Sequence, residues 1–148
     1  MIYKVLSLNM NFGVPDNKKL ILFDGVCNLC NGAVNYVIKH DKSNLFMFTA
    51  LQSDIGKKII EHYNIDTIKL DSILLYTPKK GIHYKSTAAL KVASKLGFPI
   101  NILVIFLIVP KVIRNWVYDF IAKNRYKWYG KKDACMIPTP ELKNKFLE

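Results

Sequence analysis

Cysteine is scarce in this chain, with three among 148 residues. That is too few, and too unevenly placed, for the disulfide framework of a small secreted protein. Long hydrophobic runs are also missing: the longest, residues 102–109, has eight residues, whereas a membrane-spanning helix needs about 20. We expect a buried helix there. The beginning of the chain has no small-residue cleavage site, so we predict a cytoplasmic, reducing location without a transmembrane segment.

Acidic residues are few as well, 11 against 22 Lys and Arg, and the net charge is +11. The excess is concentrated at residues 111–132, where seven basic residues face one acid, Asp119. Such a segment can meet an acidic partner, an anionic membrane or nucleic acid, although charge alone indicates association rather than fold. We do not expect this segment to bind nucleic acid. The aromatic residues beside Arg125 and Tyr126 are more typical of a tail that docks on its own domain.

The hydrophobic content of 51% suffices for one core and excludes a disordered chain. We predict a single domain over 1–148, with an N-terminal extension or edge strand in 1–17, a core in 18–97 and a helical C-terminal extension in 98–148. In the extension, Pro110 begins a helix whose apolar side chains recur every four residues and should face inward. These are Val112, Ile113, Trp116, Val117, Phe120 and Ile121, with Arg114, Asn115 and Lys123 outside.

The core region alternates strand-like and helix-like patterns. Its predicted elements are a strand at 20–23, a helix at 27–40, a strand at 45–49, a helix at 53–63, a hairpin at 72–77 and 82–85, and a helix capped by Ser86 or Thr87. This order predicts an α/β, thioredoxin-like fold with a mixed four-stranded sheet.

Two cysteines, Cys27 and Cys30, stand where the first strand gives way to the first helix. Three residues apart, they share one helix face and can form a disulfide or share a metal. The positive end of the helix dipole stabilises a thiolate, which favours Cys27 as nucleophile and Cys30 as resolving partner. We expect Cys27 to be the more exposed thiol and Cys30 to lie nearer the apolar body.

Two other interpretations of the pair stay open, namely inert packing and half of a zinc site. Zinc usually takes four ligands, and the remaining candidates are the distant Cys135 and the scattered His40, His62 and His83, none at ligand spacing. A zinc-binding or partner-binding module with a basic C-terminal segment and no catalysis is therefore the alternative to a redox enzyme.

Several blocks of this sequence resemble the DCC family of thiol-disulfide oxidoreductases, named for an Asp, Cys, Cys signature that Asp24, Cys27 and Cys30 match here. The resemblance extends from about Leu20 to Phe146. Its further blocks are Leu51-Gln52-Ser53, Asp71-Ser72, Tyr118, Asn124-Arg125-Tyr126, Tyr129-Gly130, Cys135 and Pro138-Thr139-Pro140.

This resemblance implies a thioredoxin-like enzyme that exchanges disulfides with a protein or small-molecule substrate, is recycled by an unidentified reductant or oxidant, and uses no dissociable cofactor. It makes Asp24 a site residue, either as acceptor of the Cys30 proton or as a negative charge that raises the thiol pKa values. An Asp-Gly turn that bonds local backbone N–H groups is the structural alternative. Cys135 is a candidate relay thiol. One departure from thioredoxins is the lack of proline in residues 68–72, before the third strand.

Overall fold

The computed structural model describes residues 12–66, 73–130, 140 and 143–147. Its elements in chain order are β1 (Lys19–Phe23), α1 (Asn28–His40), β2 (Phe46–Ala50), α2 (Asp54–His62), β3 (Leu74–Thr77), β4 (Gly81–Tyr84), α3 (Lys85–Ala93), a 3-10 segment (Ile100–Ile108), α4 (Lys111–Tyr129) and a short 3-10 turn (Lys143–Lys145). The proposed edge strand at Val5, Leu6 and Leu8 lies outside the described residues, as do Cys135 and residues 67–72.

The four strands form one mixed sheet in the order β2-β1-β3-β4. β1 pairs with β2 in parallel and with β3 antiparallel, and β3 and β4 form the antiparallel hairpin. The predicted thioredoxin-like arrangement is therefore confirmed. None of the helices in the described residues is long and apolar enough to cross a membrane.

β1 is one of the two inner strands and contributes to the core on both faces of the sheet. Ile21 and Phe23 pack on the side of α1 and α3, whereas Leu20 and Leu22 pack on the side of α2. Burying each such side chain contributes about 1.5–3 kcal/mol relative to exposure. A strand covered on both faces is apolar throughout, which explains the unbroken run before Asp24.

Ser53 is the N-cap of α2, and a glycine lets this helix pack closely against β2. Ser53 Oγ accepts a hydrogen bond from Gly56 N at 3.0 Å. A Cβ at Gly56 would lie 2.3 Å from the carbonyl oxygen of Ala50, so only glycine fits there.

The predicted cap of α3 is wrong. The N-cap is Tyr84, which makes no side-chain cap bond. Ser86 Oγ instead donates to Asn115 Oδ1 at 2.5 Å. The hydroxyl that would cap a free helix is thus used to join α3 to α4.

The run at residues 102–109 is not a buried helix. Residues 100–108 form a 3-10 segment with no buried residue. A 3-10 helix has three residues per turn, so when it packs on the domain along one side, most of its side chains point away from the domain. Here Ile100 packs against the core.

α4 packs with the opposite face from the one predicted. Val112, Trp116 and Phe120 are exposed, whereas Ala122 and Arg125 are buried. The inner face is polar because the domain beneath it offers polar groups that need partners. Tyr118 Oη accepts from Ile73 N at 2.9 Å, and Asp119 pairs with Lys85 at 2.8 Å.

Candidate functional site

Cys27 is the N-cap residue of α1. Its backbone is extended, and its Sγ accepts a hydrogen bond from Cys30 N at 3.4 Å. A sulfur in this position lies at the positive end of the helix dipole and accepts one of the N–H groups that the first turn leaves unpaired. The placement of Cys27 at the start of the helix agrees with the position expected from the sequence.

The expected order of exposure is wrong. Cys27 is fully buried at 0% exposure, whereas Cys30 is half-buried. The end of α4 lies against the residue that follows Cys27: Asn28 Nδ2 donates to Tyr129 O at 2.8 Å, and Asn28 N donates to Gly130 O at 3.4 Å. A sulfur with no exposed surface reacts only after a local movement, and we expect the end of α4 to be the part that moves.

Cys30 is held as a neutral thiol. Burial raises its pKa to about 12, with further contributions from the hydrogen bond to Cys27 and from the charges of Cys27 and Asp24, while Arg125 opposes them. Such a thiol loses its proton only when a good acceptor comes close, which suits a resolving cysteine.

Asp24 lies at the end of β1, directly before the cysteine loop, and forms several hydrogen bonds. Gln52 Nε2 donates to its Oδ1 at 2.9 Å and Val26 N donates to the same oxygen at 3.2 Å, while Tyr126 Oη donates to Oδ2. Burial by itself raises the pKa of Asp24, but these hydrogen bonds and the charge of Arg125 outweigh it, so the pKa lies below its ordinary value. The carboxylate is therefore ionised at neutral pH.

Arg125 and Asp24 form a buried ion pair. Its Nη2 lies 3.0 Å from Asp24 Oδ2, and the two side chains are 5% and 8% exposed. Burial lowers the pKa of Arg125, but the hydrogen bond with Tyr126 and the charges of both cysteines outweigh it, so the pKa lies above its ordinary value. Arg125 thus places a positive charge beside the thiols.

The loop between Asp24 and Cys27 is held from two sides. Gly25 N donates to Gln52 Oε1 at 3.2 Å, and Asn31 Nδ2 donates to Gly25 O at 3.1 Å. These contacts fix the point at which the loop enters α1. Asn31 is buried on the first turn of α1, and its side chain holds this loop.

Three of the residues around the pair were not assigned to the site from the sequence: Gln52, Arg125 and Tyr126. Each lies in a block that carries the family resemblance, which is the one signal that pointed to them. Spacing gives no such signal, since Arg125 lies 101 positions from Asp24. The expectation that Arg125 and Tyr126 dock on their own domain agrees with these contacts.

Among the described residues, no three His, Cys, Asp or Glu side chains come together as a possible metal site. Cys135, which the zinc and relay hypotheses both use, is not among those residues.

The fold and the cysteine pair at the start of α1 place this chain in the class of thioredoxin-like proteins. The family model of DCC1-like thiol-disulfide oxidoreductases matches residues 21–131. The chain is 48% identical over 129 residues to the uncharacterized protein YuxK of Bacillus subtilis (strain 168), covering 87% of this chain and 93% of that protein. It is 36% identical over 128 residues to a chloroplastic DCC family protein of Arabidopsis thaliana, covering 86% and 74%. No solved structure matches it. The chain belongs to the DCC1-like thiol-disulfide oxidoreductase family.

Proposed function

We propose that this protein is a thiol-disulfide oxidoreductase in which Cys27 is the nucleophile and Cys30 the resolving thiol. The observation that carries the proposal is the position of Cys27 as the N-cap of α1, with its sulfur accepting the Cys30 N–H. The family name supports the same chemistry.

In the forward direction the Cys27 thiolate attacks one sulfur of a substrate disulfide. A Cys27–substrate disulfide forms, the substrate S–S bond breaks, and the first substrate sulfur leaves as a thiolate that takes up a proton. Cys30 then attacks Cys27 Sγ and forms the Cys27–Cys30 disulfide, while the second substrate thiolate departs and takes up the Cys30 proton. The substrate gains two electrons and the protein loses them, and the reverse sequence oxidises a dithiol. The electrons reside on the two cysteines, so the cycle needs no dissociable cofactor.

In this proposal the negative charge of Asp24 acts on Cys30 and holds Arg125 in place, and Asp24 is not the main proton acceptor. A carboxylate with a lowered pKa that already accepts from Tyr126, Gln52 and Val26 is a weak base. Its charge raises the pKa of the Cys30 thiol, and its ion pair holds Arg125 beside both sulfurs. Of the roles weighed from the sequence, charge repulsion and backbone bonding within the Asp-Gly turn fit these contacts better than proton transfer.

The substrate is a protein or small-molecule disulfide, and a separate reductant or oxidant completes the cycle. A cytoplasmic location remains our prediction from the cysteine content, and fractionation of cells that express the native chain tests it.

Titration of the thiols against redox buffers tests the proposed activity. Alkylation followed by mass spectrometry should show Cys27 and Cys30 lost and regained together as the ratio of dithiothreitol to its oxidised form changes. Cys135→Ser, which keeps both proposed site thiols, is the control and should titrate like the original protein. A pair that never cycles across the physiological range would refute the proposal.

Trapping identifies the substrate class. In Cys30→Ser the mixed disulfide on Cys27 cannot resolve, so oxidised glutathione or a disulfide-bonded peptide should remain attached. Cys27→Ser should capture neither probe. Equal capture by the two variants would contradict the assigned roles.

A further inference from the structure

A large apolar surface lies on the outside of the protein, formed by the 3-10 segment and the outward face of α4. We call it the outer apolar surface. Ile108 and Val112 are each 82% exposed and Trp116 is 71% exposed. Its other exposed members are Ile102, Leu103, Val104, Ile105, Phe106, Leu107, Ile113, Val117, Phe120, Ile121 and Trp128. Single exposed apolar side chains are ordinary, but a contiguous surface of this extent marks an interaction site.

The outer apolar surface contains a groove and a row of three aromatic rings, Trp116, Phe120 and Trp128, which we call the aromatic row. A groove of about 480 Å³ runs between α3, the 3-10 segment and α4, with walls formed by Leu90, Phe106, Val109, Ile113, Val117 and Ile121. Beside it, the Phe120 ring lies 6.5 Å from Trp116 and 5.7 Å from Trp128. Tryptophan has an apolar ring and one polar N–H, and it concentrates where a membrane meets water.

Positive charge accompanies these apolar residues. Lys123 and Lys127 follow Trp116 and Phe120 at helical spacing and lie on the same exposed face. The single acid of α4, Asp119, is on the inner side and is paired with Lys85 at 2.8 Å. The outward face of α4 is therefore cationic as well as apolar.

A second group of lysines lies near the start of α4, and their positive charges act on His83. The pKa of His83 on β4 is lowered, first by burial and then by the charges of Lys91, Lys19, Lys111 and Lys80. Lys111 is the first residue of α4 and directly follows the apolar segment. Cations thus lie at both ends of the outer apolar surface.

We propose that the outer apolar surface docks on an anionic lipid membrane, with the 3-10 segment and the aromatic row in the headgroup layer and the lysines against the lipid phosphates. An interfacial helix with apolar and aromatic residues flanked by lysines binds in this way. A second copy of the chain fits less well, because a dimer across this surface would take Lys123 and Lys127 out of water, and the single acid of α4, Asp119, is already paired with Lys85.

Docking in this way has a consequence for the cysteine site. The inner face of α4 carries Arg125, which pairs with Asp24, and its C-terminal end covers Cys27 through Asn28. A membrane on the outer face of this helix would therefore lie one helix away from the thiols. The docking proposal itself does not depend on disulfide exchange and can hold or fail separately from it.

Vesicle binding tests the proposal directly. The chain has two tryptophans, Trp116 and Trp128, both exposed on α4, so intrinsic fluorescence reports on this surface alone. With vesicles of phosphatidylcholine and about one third phosphatidylglycerol at low salt, the protein should co-sediment and its emission should shift to the blue. Vesicles of phosphatidylcholine alone should bind much more weakly, and high salt should weaken binding to the anionic vesicles.

Two pairs of variants separate this docking from general attraction of a basic protein. Lys123→Gln with Lys127→Gln should weaken binding by about fivefold per lysine. The matched control is Lys57→Gln with Lys58→Gln on α2, across the sheet, which removes the same charge and should bind almost as the original does. Ile108→Ser with Val112→Ser changes no charge and should abolish most of the blue shift.

Three results would overturn the proposal. The first is no binding to anionic vesicles at low salt. The second is equal weakening by the α2 and α4 lysine variants, which would mean adventitious attraction of a basic protein. The third is a dimer in solution that Ile108→Ser with Val112→Ser makes monomeric, which would identify a second copy as the occupant.

Discussion

The carboxylate of Asp24 and the guanidinium of Arg125 form a buried ion pair across 101 positions of the chain, with Arg125 Nη2 3.0 Å from Asp24 Oδ2. This contact joins the end of β1 to α4 and places Asp24, the first member of the Asp, Cys, Cys signature, beside a residue from the C-terminal extension. The extension thus contributes a buried residue to the candidate site.

Removing one partner of this pair should destabilise the protein strongly. Arg125→Leu leaves Asp24 as a buried, uncompensated charge, so we expect the free energy of unfolding to fall by about 3–5 kcal/mol. The double variant Arg125→Leu with Asp24→Asn should recover part of that loss, because no charge is left unpaired. Urea unfolding measures both. Lys123→Ala, on the exposed face of the same helix, is the control, and a loss for Arg125→Leu no larger than for Lys123→Ala would contradict the assignment.

The lowered pKa of Asp24 makes its contribution to stability depend on pH. In the unfolded chain an aspartate titrates near pH 3.9, and in the folded protein Asp24 titrates lower. Its stabilisation is therefore complete above about pH 4 and is lost as the pH falls through the folded value. Urea unfolding between pH 7 and pH 2 should show a steeper acid decline in the original protein than in Asp24→Asn. Asp16→Asn, which breaks the exposed pair with Lys79, should leave the acid decline almost unchanged.

Cys30 should make the protein less stable at alkaline pH. Its pKa is raised from 9.0 to about 12, so the folded state retains a proton that the unfolded chain releases above pH 9. Stability should therefore fall as pH rises from 9, by at most about 1.4 kcal/mol per pH unit from this group. Cys30→Ala should lack that part of the decline. The pKa of Tyr118, raised from 10.0 to about 12, adds a loss above pH 10 in both proteins.

The measurement is urea unfolding from pH 8 to pH 10 in a thiol-free phosphine reductant, which keeps the cysteines reduced. Cys135→Ala is the matched control for loss of a thiol, and we expect it to follow the original protein. Coincident alkaline profiles for Cys30→Ala and the original would show that the Cys30 thiol is not perturbed by its surroundings.

The sequence predicted the parts of the fold that local pattern determines. The apolar run of β1, the helix α2 and the hairpin of β3 and β4 each carry a short-range signal, and all three form close to where they were expected. α4 shows where this reasoning ends. Its apolar stripe was correctly located, but which face meets the domain depends on polar partners elsewhere in the chain, such as Asp24 and Ser86, that no periodicity reveals.

The same limit explains the error about Cys27. The local pattern placed Cys27 at the start of a helix, whereas the contacts around that start include Tyr129 and Gly130, about a hundred residues later, which bond to Asn28. Exposure is a property of the whole fold, and the tail that covers this site could not be positioned from the sequence.

The raised pKa of Cys30 and the burial of Cys27 together predict the order in which the two cysteines react. At pH 7 a thiol with a pKa of about 12 is ionised in about one molecule in 10⁵, so the half-buried Cys30 should react slowly with iodoacetamide. Cys27 should be labelled first, but only in molecules in which the end of α4 has moved away. Asn28→Ala removes the 2.8 Å bond to Tyr129 O, worth about 1 kcal/mol, and should speed Cys27 labelling about fivefold.

Asn124→Ala is the matched control for that variant, because Asn124 Nδ2 makes the same kind of bond, 2.7 Å to Phe120 O, within α4 and away from the thiols. It should leave the labelling rate of Cys27 unchanged, because the cover over Cys27 stays bonded to α1. Peptide mass spectrometry after short exposures to iodoacetamide gives the rate for each cysteine separately. Faster labelling of Cys30 than of Cys27 would reverse the assigned roles, and equal acceleration by the two asparagine variants would mean that the end of α4 does not control access to the nucleophile.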